Sequence, residues 1–252
     1  MSFLQTTLLG AFSGFTIFLG LPIARLRALS KNSVAFLNAV AIGILFFLFV
    51  DIVHAGMEPL GAAIANGEGF GMLLVFFAGG FALGLLGLVE YGRQILLRRG
   101  REHTATEMAV LIAAGIGLHN FAEGLAIGSS AHAGHLSLAL LLFFGFALHN
   151  VTEAFGIAAP LRGSRVSWKF LIATGLIAGG PNLIGTIVGD VWYSASLAVL
   201  FLSTAAGAIL YVIGELLAAG RKLEAQSWTG FGLLIGFLCG AGTELLLVAA
   251  GV

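Results

Sequence analysis

Apolar residues run along this chain in eight long blocks, each separated from the next by a short polar gap. The blocks cover roughly Phe3–Leu21, Ser33–Met57, Phe70–Gly92, Thr104–Ser130, Leu136–Leu161, Ser167–Gly189, Tyr193–Ala219 and Ser227–Ala250. A helix needs about 20 mostly apolar residues to cross the hydrocarbon of a bilayer, so each block predicts one transmembrane helix. No gap is long enough for a soluble domain, and residues 1–252 read as one transmembrane domain. The first block lacks a basic n-region and a small-residue cleavage signal, so it reads as a helix and not as a removed signal peptide.

Composition agrees with this pattern. The chain is 59% hydrophobic and 10% charged, with a mean hydropathy of +1.04. A soluble domain carries about 25% charged residues, so the main solvent here is lipid and the fold class is all-α integral membrane. The net charge of zero argues against nucleic acid as a partner. A single cysteine, Cys239, excludes an internal disulfide framework and a cysteine-based zinc site. Glycine is abundant, and pairs such as Gly10/Gly14, Gly124/Gly128 and Gly185/Gly189 predict close helix contacts.

The basic residues test the segmentation independently. Arg25, Arg27 and Lys31 follow block one; Arg93, Arg98, Arg99 and Arg101 follow block three. Arg162, Arg165 and Lys169 follow block five, and Arg221 and Lys222 follow block seven; the other gaps hold no Lys or Arg. Cytoplasmic loops collect basic residues, so these four gaps are expected to be cytoplasmic and both termini extracytoplasmic. The expected location is the cytoplasmic (plasma) membrane.

Ionisable residues deep in such blocks are functional candidates, since each costs about 2.5–3.5 kcal/mol at mid-membrane on insertion scales. Block four carries His119, Asn120 and Glu123; block five carries His149, Asn150 and Glu153. The pattern H-N-x-x-E thus occurs twice, on consecutive antiparallel helices. Residues i and i+4 lie on one helix face, and i+3 is a neighbour. If the two faces meet, imidazoles, carboxylates and amide oxygens converge. Such a nitrogen/oxygen set suits zinc and other borderline divalent ions, and the lack of sulfur disfavours Cu(I). Interhelical hydrogen bonding is the plainer alternative for one His–Glu pair, but it explains a duplicated motif poorly.

These residues resemble the Zrt/Irt-like (ZIP) metal transporters. The likeness rests on the H-N-x-x-E-G of block four and the second H-N-x-x-E of block five, with eight helices and a basic loop after the third. The resemblance implies that helices 4 and 5 lie between two inverted three-helix repeats. It implies a metal centre, often binuclear, with His119, Asn120, Glu123, His149, Asn150 and Glu153 as ligands. Glu215 resembles the family's acidic position on helix 7, which completes that centre. Two departures stand out. The family's proline before each motif glutamate is replaced by Ala122 and Thr152, which predicts straighter helices and questions a backbone carbonyl ligand. A long His-rich cytoplasmic loop is also missing, with only His103 there.

The expected function is therefore movement of a divalent metal ion, zinc above all, toward the cytoplasm, with the metal as transported substrate and no catalytic cofactor. The expected partners are divalent ions and the lipid bilayer, with homo-oligomerisation left open. Asp51 and His54, near the outer end of block two, are candidates for ion access. His132 and His135 form a weaker candidate for metal capture. Two alternatives stay open: a metal-ion channel, and an intramembrane metallohydrolase, for which the H-E-x-x-H signature is absent. An ATP-driven pump is disfavoured, since no P-loop is present. Single-cysteine labelling in intact cells, with Cys239 replaced, checks the topology. An impermeant reagent added outside is expected to label positions 68 and 132 and to spare positions 99 and 221.

Overall fold

The computed structural model describes all residues except 27–29, 68, 100–103, 162–163, 193 and 250–252. The helical side chains at 95–99, 137–138, 141, 149, 195, 243 and 246–248 also lie outside the described set. Helix α1 spans Phe3–Arg25. The others are α2 (Lys31–Asn66), α3 (Phe70–Arg99), α4 (Ala105–His132), α5 (Leu136–Ala158), α6 (Trp168–Val191), α7 (Ala195–Arg221) and α8 (Gln226–Ala249). Seven of these, all but α8, contain a described stretch long and apolar enough to cross a membrane. The eighth has 24 residues and includes side chains outside the described set.

Polar residues set the helix ends. Ser2 and Thr104 each form a capping box, with Gln5 and Glu107 respectively. Ser30 and Ser167 accept the backbone N–H groups of Ser33 and Phe170 at the starts of α2 and α6. These contacts satisfy amides that have no partner within the helix. Helix α2 is longer than its apolar block: its 36 residues make it about 54 Å long, against about 30 Å of hydrocarbon. The apolar pattern thins at Glu58 and Pro59, but the Ala-rich run beyond them continues the helix to Gly67. There the φ of +73° ends it in a left-handed turn that glycine adopts without strain. Helix α1 breaks at Thr16 and tightens into a 3-10 turn over Leu21–Arg25, where Pro22 lies.

Side-chain contacts bring the basic gaps to one end of the bundle. Lys31 Nζ lies 3.3 Å from Glu224 Oε2. The Arg25 guanidinium lies 4.7 Å over the Trp168 ring. Thr104, Pro160 and Lys222 line one cavity there. At the opposite end His132 Nδ1 donates to the Asp190 carbonyl at 2.6 Å, tying α4 to α6. The alternation of charged gaps therefore reflects a real two-ended bundle. Glu68, Arg27, Arg101, His103 and Arg162 lie outside the described residues, as do the side chains of Arg98 and Arg99.

Close packing divides the helices into two bodies. In one, α4 lies against α6, and α1 against both α5 and α6. In the other, α2 lies against α8, and α3 against α7. Within each body the backbones nearly touch at glycine. A Cβ on Gly124 would strike the Asn182 carbonyl; one on Gly185, the Phe121 carbonyl; one on Gly14, the Gly179 carbonyl. The second body repeats the device: Gly84 meets the Thr204 carbonyl and Gly236 the Val40 carbonyl. Between the bodies, Gly115 faces the side chain of Val212 and Gly156 that of Leu216. Without a hydrophobic drive between helices in lipid, such close approach is what holds membrane helices together.

This packing separates two kinds of glycine. Gly185→Ala is expected to destabilise the folded protein by about 1–3 kcal/mol, as overpacking does. Gly61→Ala, with nothing within 4 Å of the added Cβ, is expected to be neutral or slightly stabilising. Thermal midpoints of the two purified variants check this, and equal midpoints would contradict the packing argument.

Candidate metal centre

Helix α4 passes through the middle of the bundle and is the most enclosed of the spanning segments. Its motif residues therefore lie where neither water nor lipid reaches. His119, Asn120 and Glu123 are buried, as are Asn150 and Glu153 of α5. His119 Nε2 lies 3.0 Å from Glu123 Oε1 on its own helix, and 3.5 Å from Glu153 Oε1 on α5. One imidazole thus joins the two carboxylates that the sequence placed on separate helices. An unpaired charge here would cost several kcal/mol, and the mutual attraction of these groups offsets that cost.

Three asparagines surround this triad, each with its amide direction fixed. Asn120 Nδ2 donates to the Ala178 carbonyl of α6 at 3.0 Å. Asn150 Nδ2 donates to the Ser13 carbonyl of α1 at 3.2 Å. Asn182, in α6, donates to Glu123 Oε2 at 3.4 Å. Carbonyl and carboxylate oxygens only accept, so in each case the nitrogen must face the partner and the oxygen must face the other way. Helix geometry prepares these acceptors. The Ser13 carbonyl lies at the Thr16 break, where Thr16 Oγ1 also donates to it at 2.7 Å. The Ala178 carbonyl lies next to that of Ile177, which has no donor from Pro181 four residues on.

The proline lost from the two motifs thus has a counterpart in α6. Helices α4 and α5 run unbroken through their motifs, as the Ala122 and Thr152 substitutions predicted. Pro181 lies opposite, within 3.3 Å of a Cβ built on Gly117.

The remaining candidates fall elsewhere. His149 belongs to α5, but its side chain lies outside the described residues. Glu215 is half-buried on α7, and no described contact brings it to the triad. It lines a separate cavity of about 350 Å³ with Asn38, Thr104, Met108, Pro160 and Lys222, at the end where the basic gaps gather. Its place between His119 and that end follows from its position one and a half turns before Arg221. Asp51 is exposed on α2, within electrostatic range of both His119 and Glu244. His54 lies 3.9 Å from Glu58 on the same helix. His132, the candidate for metal capture, is engaged with the Asp190 carbonyl.

Among the described residues, no three His, Cys, Asp or Glu side chains have the spacing of a closed metal shell. Charge-based scanning of the sequence passed over Ser13 and Asn182, because both are uncharged and neither repeats a motif. The Pro181-Asn182 dipeptide inside an apolar block was the available signal.

A family model described as ZIP Zinc transporter matches residues 97–248, more than half of the chain. The match takes in all of α4 to α7 and nearly all of α8. A search of curated proteins found no match.

Ligation by this site requires the imidazole nitrogen and both carboxylates to be free of protons. Equilibrium zinc binding by the purified protein is therefore expected to weaken steeply as pH falls from about 7 to 5, across the ordinary histidine range. Binding that stays flat over that interval would exclude His119 as a ligand.

Proposed function

The chain belongs to the ZIP zinc transporter family, and we propose that it carries zinc toward the cytoplasm through the centre formed by His119, Glu123 and Glu153. The family implies movement of divalent metal ions across a membrane and not catalysis. The observation that supports this particular site is the buried contact of His119 with carboxylates from two helices. His149, Asn120 and Asn150 are the further ligands in this reading.

The packing supports a carrier over a channel. All these residues lie in the body made of α1, α4, α5 and α6. The neighbouring body presents apolar side chains to it, such as Val212 and Leu216. A boundary of side chains can slide or rock, whereas backbones locked at glycine cannot. In this reading the metal moves with its body, past α2 and α7, from one face of the membrane to the other. Substrate sites near the midplane between helical units are what such transporters use.

Asp51 then serves as an outer approach, in electrostatic range of His119. Glu215 serves the release side, where its cavity joins the centre's body to the end bearing the basic gaps. That end is cytoplasmic if the basic residues obey the usual charge bias. Both termini are then outside. A second reading, a metallohydrolase, lacks any observation in its favour: the motif residues face one another and not an open water position.

Uptake by proteoliposomes holding the purified protein tests the proposal with a panel of ions. Zinc and other borderline divalent ions are expected to enter saturably, and Ca²⁺ and Mg²⁺ poorly, since Ca²⁺ needs six to eight oxygens. His119→Ala, Glu123→Ala, His149→Ala and Glu153→Ala are each expected to abolish most transport. Glu215→Ala is expected to slow it while leaving equilibrium binding near the parent value. Four folded central variants that transport zinc like the parent would refute the site.

A further inference from the structure

Helices α7 and α8 follow one another through a tight turn, in which Glu224 adopts a φ of +45°. Among the described residues each packs on α2, and the two make little contact with each other. A cleft of about 440 Å³ remains between them, within the range of about 300–1,000 Å³ in which small-molecule sites fall. It lies wholly in the second body, and none of the metal-centre residues lines it.

The cleft is graded in polarity. Arg221 and Gln226 form its rim, and Ile42, Leu217 and Leu233 its interior. Leu217 lies one turn deeper than Arg221, and Leu233 two turns deeper than Gln226, so the apolar part begins about 6–10 Å below the rim. Ile42 is buried and closes the inner end, whereas Leu217 is exposed, so the cleft opens on the outside of the bundle. A Cβ built on Gly230 meets nothing within 4 Å, which leaves the α8 wall open. Trp228, exposed on α8 next to the rim, stands edge-on to Phe36 at 6.3 Å. Tryptophan collects where a membrane meets water, so the rim lies at headgroup depth and the interior in hydrocarbon.

Charge at the rim is uneven. Lys31 Nζ lies 3.3 Å from Glu224 Oε2, so these two compensate each other. Arg221 is exposed and has no acidic partner among the described residues. One positive charge is left over at the mouth of an apolar cleft.

We propose that this cleft binds one anionic phospholipid from the leaflet at the basic end, with its phosphate on Arg221 and an acyl chain along Leu217, Ile42 and Leu233. The guanidinium presents a planar fork of N–H donors that matches phosphate oxygens. Polar rim, apolar interior and single uncompensated charge meet such a lipid in order of depth. A zwitterionic lipid brings an ammonium that Arg221 repels, and the acid of the rim, Glu224, is already held by Lys31. A soluble anion leaves the apolar walls unfilled. The bound lipid ties α7 to α8, which their own packing does not. Neither the cargo nor the direction of transport enters this argument.

The test uses the purified full chain, stripped of lipid in neutral detergent. Native mass spectrometry reads the lipid retained from an equimolar mixture of phosphatidylglycerol and phosphatidylcholine with identical acyl chains. One phosphatidylglycerol per chain is expected in preference to phosphatidylcholine, with a thermal midpoint that rises more with the former. Arg221→Gln is expected to weaken phosphatidylglycerol retention about fivefold, the loss of one basic contact to an anionic headgroup. Lys169→Gln, exposed at the same end but outside the cleft, is expected to leave it unchanged. Gly230→Phe places a ring in open space and is expected to displace the lipid while the lipid-free midpoint holds. Equal retention of both lipids by the parent overturns the proposal. So does equal loss in Arg221→Gln and Lys169→Gln, which marks a diffuse attraction, or retention unchanged in Gly230→Phe. A dimer that separates on Gly230→Phe assigns the cleft to a second copy of the chain and overturns it as well.

Discussion

Charge buried in an apolar bundle must find its compensation inside the protein, and the contact of His119 with Glu123 and Glu153 supplies it. Remove His119 and the carboxylates of Glu123 and Glu153 lose the imidazole between them, which is far more costly than the contact itself. The rest of the local structure follows from protecting this contact. The face of helix α4 that carries the triad must be enclosed, and α6 packs along the helix. The carboxylates must be held, so Asn182 donates to Glu123 from α6. The asparagines must be held in turn, so the carbonyls of Ser13 and Ala178 accept from them, at the break in α1 and beside the proline gap in α6.

That enclosure depends on how closely the backbones approach. Hydrocarbon offers no driving force for helices to associate, and van der Waals contact between backbones takes its place. Gly124, Gly185 and Gly14 permit that contact within the body carrying the triad; Gly84 and Gly236 permit it in the other body. Where the bodies meet, the side chains of Val212 and Leu216 face Gly115 and Gly156, with the Ala208 carbonyl 3.5 Å from a Cβ built on Gly115.

The site and its surroundings also divide by chemistry. The deep layer holds imidazole, two carboxylates and amide oxygens. The cavity lined by Glu215, Asn38 and Met108 lies toward the end with the basic gaps, while Asp51 is on the exposed surface of α2 within electrostatic range of the triad. Among the described residues, the only other imidazole–carboxylate pair, His54 with Glu58, is exposed on α2. Asn38 resembles the central asparagines in one respect: its nitrogen donates to the Leu216 carbonyl at 3.0 Å and its oxygen has no described donor.

Helix number, the two-ended arrangement of charge and the presence of ionisable residues deep in α4 and α5 were all legible along the chain. Each depends on properties that are local in sequence. Hydrocarbon admits a helix only if about 20 successive residues are apolar, and a polar residue within such a run has no solvent to excuse it. The motif spacing likewise placed His119 and Glu123 on one face, because helix periodicity does so in any environment. The full length of α2 was not legible, because its last turns leave the apolar block while the helix continues. Nor was the role of Asn182, an uncharged residue whose meaning depends on a partner 59 positions away. Glu215 matched a family position by its neighbours in sequence, yet its helix sets it in a different cavity. Which helices meet, how closely, and which oxygens are left without donors are questions of contact between distant segments. Tertiary structure decided them, because glycine permits a close approach without specifying which helix will make it.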